Sequence, residues 1–208
     1  MLKRKGFTLI ELAIVLVIIG IIIGAVIKGQ DLIENARIKK FEAKAKQWET
    51  AQWTFYDRKG RFAGDGNANG TIADNDGGDA KTDLTTANFI NPPYEGTTGN
   101  EENTITIGSK KFYVLFGNDG GSPAKNIMVI CVDPTCSNSF TNDTLPYIES
   151  LDTAIDGSAN GTDGNVICTS SALGADSTKW TVSPTSAITN STCDTTAKAL
   201  VYYFDAKR

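Results

Sequence analysis

Apolar residues fall into two blocks of different kind near the start of the chain. Residues 7–27 read FTLIELAIVLVIIGIIIGAVI, apolar at almost every position. Residues 30–59 contain no glycine or proline and place Ile38, Phe41, Ala45, Trp48 and Phe55 at steps of three, four and seven. The first pattern predicts a helix that is apolar all round, the second an amphipathic helix with one face to bury. Read as one continuous element, the about 53 residues from 7 to 59 make a rod of roughly 80 Å. Arg37, Lys39, Lys40, Glu42, Lys44 and Lys46 fall on the remaining faces, with Glu42 and Lys46 in the favourable i,i+4 order. A solvated face is expected there, with acidic lipid head groups or a neighbour's acidic loops as the alternative.

Gly60 stops the helix, and a stretch dense in Gly, Asp, Asn and Thr follows to about residue 103. Within it Leu84, Phe89 and Ile90 predict a short helical turn on the core. TITI (104–107), KFYVLF (111–116), NIMVICV (126–132) and ALVYYF (199–204) predict strands, the first two joined as a hairpin reversing at Ser109 and Lys110. NVICTS (165–170) adds another strand, and the rest of 142–194 reads as polar loop. The expected fold class is α+β, with a long hydrophobic-then-amphipathic N-terminal α-helix packed on a small antiparallel β-sheet head.

Composition narrows the function. The 208 residues, 40% hydrophobic, suffice for one ordinary domain, and a net charge of −4 argues against bulk nucleic-acid binding. Histidine is absent, which removes the commonest general base and zinc ligand. With no Gly-x-Ser-x-Gly, P-loop or paired-cysteine redox motif either, an enzyme is not expected. The four cysteines allow three disulfide pairings, of which Cys131 with Cys136 and Cys168 with Cys193 would staple a small loop and a larger one. Zinc is the rival reading, with poor spacing in Cys-x4-Cys, and disulfides require an oxidising compartment.

Lys3, Arg4 and Lys5 precede the 21-residue apolar run, which is long enough to span a bilayer core. The positive-inside rule places Met1 in the cytoplasm and everything after Lys28 on the far side, where disulfides persist. Glu11 does not suit a plain anchor, because a carboxylate at membrane depth costs about 2.5–3.5 kcal/mol on insertion scales and calls for a partner. A cut after Gly6 would create one, the α-amino group of Phe7.

KGFTLIEL at residues 5–12 resembles the type III signal of type IV prepilins and type II secretion pseudopilins. The resemblance implies a prepilin peptidase that cuts between Gly6 and Phe7, methylates the Phe7 amine and leaves the apolar helix on the mature protein. It also implies that Glu11 guides docking onto the preceding subunit's terminal amine. GQDLI at residues 29–33 and TFYDRKGRFAGD at 54–65 are similar to elements of a large pilin-like subgroup, and no likeness extends beyond Asp65. The implied organisation is a leader at 1–6, a transmembrane and filament-core helix at 7–29, its amphipathic continuation at 30–59 and a periplasmic or extracellular head at 60–208. Implied partners are identical or related pilin subunits in a helical filament, the peptidase/methylase, an inner-membrane assembly platform and membrane lipid before assembly. The helix-kinking proline of many major pilins is missing; Gly20 and Gly24 form Gly-x-x-x-Gly in its place. The expected function is a major or minor pilin of a type IV pilus-like filament, the alternatives being a secretion pseudopilin and an adhesive or DNA-binding tip subunit.

Residues 65–76 follow the spacing of a twelve-residue EF-hand calcium loop. Asp65, Asn67 and Asn69 occupy positions 1, 3 and 5, and Gly70 takes the sharp turn. Thr71 offers its carbonyl, Ile72 sits at position 8 and Asp76 ends the loop in place of the usual glutamate. Calcium is the cofactor this spacing predicts, with Asp74 and Asp79 as substitute ligands in a shifted register. A flexible loop of the same composition is the alternative.

Overall fold

The computed structural model describes residues 8–87, 93–95 and 102–205. Two compact units meet at Lys39 and Lys40, inside the long helix α1 (Leu9–Lys59). From Leu9 to Ile27, where the sequence is apolar all round, α1 is exposed at every position. In the second unit it buries Phe41, Ala45, Trp48, Ala51 and Phe55, the face that the three-and-four spacing sets on one side. Gly60 terminates it at φ 72°, its N–H donating to the Tyr56 carbonyl at 2.8 Å, a left-handed position that favours glycine.

The head follows as α2 (Ala80–Thr86), β1 (Thr104–Ile107), β2 (Lys110–Asn118), β3 (Asn126–Cys131), α3 (Leu145–Asp156), β4 (Val166–Thr169), β5 (Ala175–Asp176), β6 (Thr181–Val182) and β7 (Ala199–Tyr202). The sheet runs β4-β7-β3-β2-β6-β5, and β1 also pairs with β2. All pairs are antiparallel except β2 with β6. The architecture is the expected α+β arrangement of a long helix on an antiparallel-rich sheet. Ring contacts join the two layers: Phe41 meets Phe112 at 4.7 Å, and Trp48 meets Phe116 at 6.2 Å and Trp180 at 5.8 Å.

Several local readings change. The β1–β2 reversal lies at Gly108 and Ser109, one residue earlier than predicted, because Gly108 takes φ 61° and so suits the first position of a two-residue hairpin turn. The polar stretch after residue 142 contains α3, with a proline in its first turn and Gly157 as a left-handed C-cap, burying Tyr147, Ile148 and Leu151. Leu84 is buried in α2, while Phe89 and Ile90 lie outside the described residues. Glu42 is not on a solvated face: it is 8% exposed and accepts a hydrogen bond from Ser150 Oγ of α3. Lys44 is likewise engaged, 3.4 Å from Glu95.

Gln52 joins helix to head in a way its polarity conceals. It is fully buried, donating from Nε2 to the Ala63 carbonyl at 3.2 Å and accepting the Ala63 N–H on Oε1 at 3.0 Å. Ala63 is itself buried, so Gln52→Leu strands a backbone donor and acceptor without water. That variant is expected to lose about 2–4 kcal/mol, read from urea unfolding of the full chain in detergent micelles.

Candidate functional site

Two places in the chain carry chemistry beyond packing: the first turn of α1 and the loop that follows its end. Thr8 and Glu11 form a capping box at the helix N-terminus. The Thr8 N–H and hydroxyl both donate to Glu11 Oε2 at 2.7 Å, and the Glu11 N–H donates back to Thr8 Oγ1 at 3.3 Å. The spacing Thr-x-x-Glu before an apolar run was the signal in the sequence, and reading Glu11 only as a membrane cost overlooks it. Both accepted bonds fall on Oε2, so among the described residues Oε1 has no hydrogen-bond donor. Gly6 and Phe7, the residues of the expected cut, lie outside the described residues. Gly20 and Gly24 lie within α1, and nothing beyond their own neighbouring turns of helix backbone comes within 4 Å of where a Cβ would sit on either.

The loop after α1 is built from its anchors inward. Arg61 grips Asp83 with both terminal guanidinium nitrogens, at 2.7 and 2.8 Å, and Nη1 also donates to the Asp65 carbonyl at 2.8 Å. The Asp83 partnership holds the Arg61 pKa above its ordinary value. Gly64 N–H donates to Asp83 as well, at 2.9 Å. Gly64 and Gly78 close the loop base so tightly that a Cβ on Gly78 would stand 1.9 Å from the Gly64 carbonyl oxygen.

Inside, the carboxylates and amides fold back onto the chain. Asp65 is completely buried and accepts the N–H groups of Asn69 and Gly70, at 3.3 and 2.9 Å. Asn67 Oδ1 accepts from Asn69 N–H at 2.9 Å, and Asn69 Oδ1 from Thr71 N–H at 2.8 Å. Asp76 accepts the N–H groups of Gly66, Asn67 and Gly78, at 2.6, 3.0 and 2.9 Å. Burial pushes the Asp76 carboxyl upward, but these three amides outweigh it and hold its pKa below the ordinary value. Asn69 Nδ2 donates to Asp74 Oδ2 at 2.5 Å, whereas Asp74 Oδ1 is buried without a partner. Asp79 stands apart as the N-cap of α2, bonded to Thr82.

Ile72 is fully buried and fastens the loop to the sheet: its N–H donates to Asn126 Oδ1 at 2.8 Å, and its carbonyl accepts from Asn118 Nδ2 at 2.9 Å. Asn126 and Asn118 begin β3 and end β2, positions that the sequence marks only as polar residues bounding apolar strands.

The cysteines form two disulfides, Cys131–Cys136 and Cys168–Cys193, with Cα atoms 5.2 and 5.1 Å apart. None is left as a thiol for a metal. Asp133 organises the smaller loop by accepting the N–H groups of Thr135, Ser137 and Asn138, at 3.0, 3.0 and 2.8 Å.

Residues 1–27 match the prokaryotic N-terminal methylation motif, the type IV prepilin signal, which supports a type IV pilin or pseudopilin family for this chain. No curated protein and no solved structure matches it.

Thr8→Ala removes the cap and is expected to weaken the first turn by about 1 kcal/mol. Amide exchange of Glu11 and Leu12 in detergent micelles should then quicken about fivefold, while exchange beyond residue 40 stays unchanged.

Proposed function

We propose that the chain is a pilin, the structural subunit of a type IV pilus-like filament. It is cut between Gly6 and Phe7, methylated on the Phe7 amine and assembled through the apolar half of α1. The observation that carries this reading is an acid at the head of a helix that is apolar on all sides and exposed from Leu9 to Ile27, within a segment that matches the prepilin signal. Before assembly the bilayer covers that surface, since α1 is long and apolar enough to cross one. After assembly the same helices of neighbouring subunits cover it.

The capping box leaves room for the intersubunit role of Glu11. Oε2 holds the first turn of its own helix, and Oε1 receives the methylated Phe7 amine of a neighbour, which neutralises a carboxylate that lipid or protein would otherwise surround. The Lys3, Arg4 and Lys5 cluster keeps the N-terminus cytoplasmic and sends the head outside, where the two disulfides are stable.

Two measurements test the proposal. Mass spectrometry of the protein purified from its cells should show a chain that starts at methylated Phe7; an intact Met1 terminus sinks the reading. Glu11→Gln keeps the cap, because glutamine serves at that helix position, but removes the charge. It should insert into the membrane normally and reduce surface filaments at least tenfold; wild-type filament yield would show that Glu11 serves as a cap alone.

A further inference from the structure

We propose that residues 65–76 bind one calcium ion, through side-chain oxygens of Asp65, Asn67, Asn69 and Asp76 and the backbone carbonyl of Thr71.

The spacing of these residues is one line of support, and the folded loop supplies others that spacing does not entail. Asp65 is a fully buried carboxylate, and among the described residues no cationic side chain bonds to it. Arg61 reaches the backbone carbonyl of Asp65, while its two terminal nitrogens bond the carboxylate of Asp83 and not that of Asp65. A buried anion held only by amides is costly without a countercharge. Asp74 adds a second demand. One of its oxygens is sealed from water with no partner. A carboxylate oxygen shut off from water and left without a donor is costly unless a cation reaches it. A divalent cation in the loop meets both demands at once.

The donor set selects the ion. Among the described residues no three Asp, Glu, Cys or His side chains converge as a metal group, so the coordination rests on amide and backbone oxygens together with two carboxylates. Such mixed oxygen donors suit calcium, whose shell is large and irregular. Magnesium demands a strict octahedron and keeps its waters. With so few formal charges, affinity should fall in the range of extracellular modules, a dissociation constant on the order of 10⁻⁴–10⁻³ M. Because Ile72 is tied to Asn118 and Asn126, an ion here would also brace the ends of β2 and β3.

Titration calorimetry of the chelator-treated full chain in detergent micelles tests this, with CaCl2 as the probe and MgCl2 as comparison. The expected result is one calcium per chain, a calcium-dependent rise in Tm, and binding at least tenfold weaker in Asp76→Asn, which keeps one of the two amide-accepting oxygens. Asn69→Asp adds a carboxylate at position 5 and should tighten binding several-fold. Absence of saturable calcium heat and of any Tm shift in the wild type overturns the proposal. Equal response to magnesium overturns the choice of ion. Should Asp76→Asn fail to fold, unchanged affinity in Asn69→Asp decides against the site. Binding is read on the unassembled chain, so its failure leaves the filament reading standing, and the reverse also holds.

Discussion

Water cannot be the final environment of the first half of α1. Sixteen large apolar side chains between Leu9 and Ile33 are about half or more exposed. At roughly 1 kcal/mol for covering the exposed part of each, the surface is worth on the order of 15 kcal/mol. That equals the whole folding stability of an ordinary domain, 5–15 kcal/mol. A sheet can cover one stripe of a helix, and the Phe41–Phe55 face uses that solution. An all-round apolar helix needs lipid or other helices on every side. In the proposed function, membrane residence and then assembly answer this single demand, and the disulfide-stapled head is what the helix carries with it.

The parts of the fold decided by local apolar runs were legible in the sequence. TITI is β1 residue for residue, and the runs at 111–116, 126–132, 165–170 and 199–204 each contain most of a strand. Elements decided by tertiary contact were not. The two-residue strands β5 and β6 have no run to announce them; β6 exists because Gly117 lets the Val182 carbonyl approach to where a Cβ would stand 1.9 Å away. Helix α3 hides in a polar stretch, and Pro146 and Gly157 are its clearest marks. Glu42 and Gln52 have helix-surface side chains by type yet are buried, since partners from distant segments satisfy their polar atoms.

At the two sites the same division holds. The Thr8–Glu11 box and the donor spacing of 65–76 are local and can be read from order alone. What fixes the loop in place cannot: Arg61 is anchored by Asp83 twenty-two positions on, and Ile72 by Asn126 fifty-four positions on. Those anchors give the loop a defined shape in a segment whose glycines and asparagines would otherwise leave it mobile.

The pair of bonds between Gln52 and Ala63 has a geometric corollary. Successive residues on a helix point about 100° apart. Turning α1 by a single residue's step would therefore carry the Gln52 amide off Ala63 and break both bonds together. The clamp acts as a keyway on a shaft, and torque applied along the helix would reach the head at that tooth instead of being lost in slippage between greasy surfaces.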